Sequence, residues 1–164
     1  MLQAIAATVA FAIILWSFGL PSLRFAEAAN VTSFSDTLSD SAPSVVSNHT
    51  VEFTTPSGLV AGETITITFP AGFTGIDSLD FNDLDLTLDG ADQDLAGTAA
   101  GTDWGVNAAG QVIDIQSGSV AIATGTVVAI EIGTNATAGV TGDSQITNPA
   151  TATSYEIDVA VGDT

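Results

Sequence analysis

The chain has no cysteine, no lysine and one arginine, Arg24. It has one histidine, His49, and one tyrosine, Tyr155. Each shortage excludes something. Without cysteine there is no disulfide framework and no thiolate chemistry. Without Lys and Arg there is little to neutralise phosphates, so nucleic acid and anionic lipid are not expected partners. With one histidine there is one base of the kind that activates a Ser or Thr nucleophile. His49 shares strand parity with Val51 and Phe53, which reads as a histidine half tucked under a core. No phosphate loop, dinucleotide fingerprint or Cys/His metal spacing occurs. Carboxylate pairs are abundant, but a glycosidase cleft also wants aromatic platforms, and aromatic residues are 7% of the chain. The expectation is a protein that is not an enzyme.

What the chain does have is acid and apolar residues. Nineteen Asp and Glu give a formal charge of −18, and 46% of residues are hydrophobic. That apolar content fills a core in a chain of 164 residues, the length of one ordinary domain.

The one long apolar run is Ala4 to Leu20, ended by Pro21. Ala26 and Ala28 follow as a small-x-small pair, so residues 1–28 read as a signal peptide cleaved after Ala28. The alternative is a retained helix anchor, since about 17 apolar residues is the lower edge of a bilayer span. Membrane contact is expected only through residues 4–20, if they are uncleaved. Cleavage removes Arg24, leaving residues 29–164 with no Lys or Arg. Nearly every carboxylate is then expected to face water or a bound metal, because burial without a cation is costly. The chain stops at "VGDT", directly after a strand pattern, and reads as the first part of a longer protein.

Period-two alternation recurs, and helical periodicity does not. It is visible in "HTVEFTT", "ETITITFP", "DLDLTLD", "QVIDIQ", "TVVAIEIG" and "SYEIDVAV". Each run puts Val, Ile, Leu or Phe on one side and Thr, Asp or Glu on the other, the pattern of a half-buried strand. Gly- and Pro-marked turns separate them. The expected fold for residues 29–164 is all-β: an antiparallel Greek-key, Ig-like sandwich of seven to nine strands, with Trp104 and Phe69 as large core anchors.

The phrases "SDTLSDSAPSVVSNHTVEFTTPSGLVAGETITITFPAGF" and "GTVVAIEIGTNATAG" resemble exported β-sandwich domains of bacterial surface proteins, most closely those of Candidate Phyla Radiation genomes. The resemblance implies a stalk or surface-layer module outside the cell, whose partners are other domains of the same protein or cell-surface components. It carries over no functional residue.

Two site readings come from the residues. "DFNDLDLTLDGADQD", Asp80 to Asp94, holds six aspartates in fifteen residues. Asp83, Asp85 and Asp89 alternate with leucines and read as the wet face of a strand. Asp92 and Asp94 lie beyond Gly90, in a turn. Asp89, Asp92, Asp94 and Asp103 are the candidate ligands of a calcium ion, which takes oxygen donors from turns. "DQDLAGTAAGTD" departs from the EF-hand template at its fifth and twelfth positions, Ala96 and Asp103. Trp104, in a Gly-rich stretch beside acids, is a candidate carbohydrate platform, against the alternative of a core tryptophan. The overall expectation is a secreted structural module that spaces, displays or self-associates. A calcium-stabilised adhesion or carbohydrate-binding module is the alternative. Asn30, Asn48 and Asn135 match the glycosylation sequon.

Overall fold

A computed structural model describes residues 31–162. The expected signal helix, residues 1–28, lies outside them. Among the described residues twelve strands form: β1 (Thr32–Leu38), β2 (Val46–Ser47), β3 (His49–Thr55), β4 (Thr64–Thr68), β5 (Leu84–Leu88), β6 (Ala91–Gln93), β7 (Leu95–Ala96), β8 (Trp104–Ala109), β9 (Val112–Gln116), β10 (Thr126–Ile132), β11 (Ile146–Thr147) and β12 (Asp158–Val161). The only helical pieces among the described residues are 3₁₀ turns at Ile76–Ser78 and Phe81–Asp83. The excess over the expected seven to nine comes from short pieces: β2, β6, β7 and β11 are two or three residues each.

The strands form two five-stranded sheets and a small ladder. The first sheet runs β1-β3-β10-β5-β6, antiparallel throughout. The second runs β12-β4-β9-β8-β7, antiparallel except for the parallel β7–β8 pair. β2 and β11 pair separately.

Alternation places the core. In β3, His49, Val51, Phe53 and Thr55 are buried while Glu52 is exposed. In β10, Val128, Ile130 and Ile132 are buried. The second sheet contributes Ile65, Ile67, Ile113, Ile115 and Trp104, all fully buried, to the same cluster. The apolar faces of both sheets therefore share one core, giving a sandwich-like all-β fold. Loop residues Leu59, Phe69, Phe73, Ile76 and Ile122 close its ends. Fully burying one such side chain contributes about 1.5–3 kcal/mol. Outside, Thr66 Oγ1 donates to Asp114 Oδ1 at 2.7 Å, joining β4 to β9.

Two readings of the alternation need correction. "SYEIDVAV" becomes strand only from Asp158; Tyr155 and Ile157 pack on the core from irregular chain. Of the acids that alternate with leucines here, Asp89 is exposed, but Asp83, just before β5, and Asp85 within it are not wet: they are 2% and 7% exposed. The segment 133–145 crosses over them.

Candidate functional site

Two clusters of polar side chains stand out, one around β5 and one around His49 of β3, both strands of the first sheet. The first is the acid-rich end of β5. Asp83 Oδ1 accepts from the backbone N–H groups of Asp143 and Ser144, at 2.8 and 2.9 Å. Its Oδ2 accepts from Asp80 N at 3.0 Å, closing a capping box around the Phe81–Asp83 turn. Asp85 Oδ2 accepts from Thr137 N and Ala138 N. The Gly133 N–H donates to Asp83 O at 2.8 Å. Backbone amides thus supply what a chain poor in Lys and Arg does not. They make burial of these carboxylates tolerable, since a carboxylate holding several N–H donors is well solvated by protein. The segment 133–145 is laced down by two aspartates. Gly133 fits because its φ is +117° and a Cβ there would strike Asn48 Oδ1.

The four candidate calcium ligands do not meet at one point. Asp89, at φ 49°, closes the β5–β6 turn, where its Oδ1 accepts from Val127 N at 2.9 Å. Asp92 sits in β6 opposite Thr87. Asp94 follows β6 and accepts Trp104 N on its backbone carbonyl at 2.8 Å. Asp103 exchanges backbone bonds with Ala100. Among the described residues no three Asp, Glu or His side chains are grouped so as to hold a metal ion. Asp92 and Asp94 do share a depression of about 400 Å³ with Asp85, Phe81 and Val140. Glu131 lies opposite Asp85 across the β10–β5 pair. Burial, then the charges of Asp85 and Asp92, hold its carboxyl above the ordinary value of 4.5.

Trp104 is 0% exposed, in the core. It is an anchor, as Phe69 is, and not a surface platform for a sugar. It belongs to the same core cluster as the buried residues of both sheets.

The second cluster, around His49, was only half legible. His49 is fully buried, not half tucked. Its Nδ1 lies 2.8 Å from Asp36 Oδ2 on β1. Its ring meets Phe69 and Phe73 edge-on, at centroid distances of 5.4 and 6.1 Å. Asp36 and Phe73 in turn line a groove of about 290 Å³ between β1 and residues 148–157. Sequence reading missed Asp36 because "TSFSDTL" has no apolar alternation to mark it as a strand. The lone histidine was the available signal, since a buried imidazole wants a partner.

Two sequon asparagines are already engaged. Asn48 Oδ1 accepts from Thr134 N at 2.9 Å and from Gln145 Nε2 at 2.6 Å. Asn135 Nδ2 donates to His49 O and Thr50 Oγ1, both at 3.3 Å. Asn30 lies outside the described residues.

No family model, curated protein or solved structure matches this chain. Among the described residues no helix is long and apolar enough to cross a membrane.

Proposed function

We propose that the chain is a non-enzymatic structural module of a secreted or cell-surface protein, a rigid acidic body that spaces or displays its neighbours. One observation carries the reading: the buried carboxylates Asp83 and Asp85 are spent on fastening a loop to the sandwich. Acids used this way serve shape. The strand order supports Greek-key, Ig-like connections, because the chain leaves the first sheet after β3, returns at β5 and returns again at β10. The partners in this reading are further domains of the same protein or other surface components, and not nucleic acid. Export rests on residues 1–28. Expressing the full chain in a bacterium and sequencing its N-terminus tests it. Recovery outside the cytoplasm with Ala29 first is the expected result; cytoplasmic chain that retains Met1 overturns it.

The depression holding Asp85, Asp92 and Asp94 favours a second reading, calcium-stabilised adhesion. Of the four candidate ligands, Asp92 and Asp94 line the depression and Asp89 and Asp103 do not, and no third carboxylate among the described residues is grouped with them so as to hold a metal ion. A ligand that binds only the folded state raises the melting temperature. Millimolar calcium added after chelation raises it more than equal magnesium does if this reading holds. Equal effects of the two ions end it.

A further inference from the structure

The groove between β1 and residues 148–157 is not explained by the structural role. Its walls are aromatic and apolar: Phe34, 40% exposed, on one side, and Phe73 and Tyr155 on the other. The latter two rings meet edge to face at 5.5 Å. Tyr155 is fixed in place, since its hydroxyl donates to Thr151 O at 2.8 Å. Two acceptors line the same groove, Asp36 and Asn148. Asp36 Oδ2 accepts from His49 Nδ1, and its covered Oδ1 has no hydrogen-bond partner among the described residues. Asn148 donates through Nδ2 to Asp40 O and Ala42 O, and its covered Oδ1 has no partner there either. An acceptor buried without a donor is costly, and a carboxylate oxygen the more so.

We infer that this groove binds a primary ammonium group carried on an alkyl stem. The chemistry matches at each point. The N–H donors of an ammonium meet the free oxygens of Asp36 and Asn148. Aromatic faces attract a cation through their quadrupoles. The alkyl stem lies against Leu38 and Ile157, which also line the groove. Beyond Arg24 the chain has no Lys or Arg to occupy the site, and its formal charge of −18 draws cations toward it. Other ligand classes fit worse. An anion meets the carboxylate of Asp36. A hard divalent ion wants six or more oxygens, and these walls are mostly carbon. A neutral sugar gains nothing from the charge. The ammonium is that of a free amine or of a lysine side chain.

Calorimetric titration of the full-length chain with n-butylammonium chloride tests the inference, with n-butanol and sodium butyrate as controls. Saturable one-to-one binding of butylammonium is expected, at least tenfold tighter than either control. Asp36→Asn is expected to weaken it at least tenfold. Asp36 also holds His49, so a second variant guards against misfolding: Phe34→Ala, at a partly exposed position outside the core cluster, is expected to weaken binding about threefold with the fold intact. Butanol binding as tightly as butylammonium overturns the inference. So does affinity that survives both substitutions, or no saturable binding at all. Nα-acetyl-lysine amide separates the sources: binding equal to butylammonium assigns the groove to a lysine side chain, and selective weakness assigns it to a free amine.

Discussion

Asp83 and Asp89 look alike in the sequence, each beside a leucine in an alternating run, and they do different work. Asp83 is buried and accepts three backbone N–H groups; Asp89 is exposed and accepts one. Asp83→Ala leaves those donors without a partner, at a cost of about 3 kcal/mol. Asp89→Ala is expected to cost about 1 kcal/mol or less, since water replaces the lost acceptor. Urea denaturation of both variants reads the difference. Alternation could not tell them apart, because it reports which side of a strand a residue faces and not what later crosses that side. The backbone that covers Asp83 lies 60 residues downstream. Glu131 is the residue whose environment works against it. Its folded carboxyl is held above 4.5 by burial and by Asp85 and Asp92, so its protonated form is favoured in the folded state. That contribution is fully present below the unfolded value and is lost as pH rises through the folded one. Glu131→Gln is therefore expected to raise stability at pH 7 by a few tenths of a kcal/mol, the scale of a cross-strand pair. At pH 4 it is expected to change little. Thermal melts at the two pH values decide it.

Among the elements, the central strands β3 and β10 announced themselves and the edge strand β1 did not. β3 and β10 each have neighbours on both sides, and their buried residues alternate without a break. β1 is an edge strand with a register irregularity between Thr32 and Ser35, and it aims Asp36 toward the core side. A bulge and an inward charge are devices that keep an edge from pairing with another chain. They also erase the alternation by which a strand is recognised. β8 was obscured differently: "WGVNAA" is mostly small residues. Gly105 is required where β8 passes Ala99, since a Cβ there would strike the Ala99 backbone. The same contrast sets local stability. Amide hydrogen exchange is expected to be slowest in β3 and β10 and at least tenfold faster in β1 and β12, which have a partner on one side only. Protection in β1 equal to that of β3 would mean that its outer edge is covered, as it would be in a strand-paired dimer.

For the molecule as a whole, charge is the dominant fact. Fold class was readable from apolar alternation because the core obeys it nearly everywhere. The arrangement of acids was not, because self-repulsion acts through space and not along the chain. Past residue 28 there is no Lys or Arg, and the contact of His49 with Asp36 is the one place among the described residues where a basic side chain meets a carboxylate. The folded state therefore concentrates negative charge with almost no internal compensation, and the unfolded chain spreads it out. Salt screens that repulsion, with a Debye length of about 30 Å at 0.01 M falling to about 10 Å at 0.1 M. Stability is expected to rise steeply between roughly 10 and 150 mM sodium chloride and then flatten, a melting shift of several degrees. Most proteins of mixed charge have surface ion pairs that salt weakens; this one has nothing comparable to lose. A melting temperature unchanged across that range would mean that the carboxylates lie too far apart to repel. The buried lacing at Asp83 and Asp85 would then account for the acid content better than surface charge does.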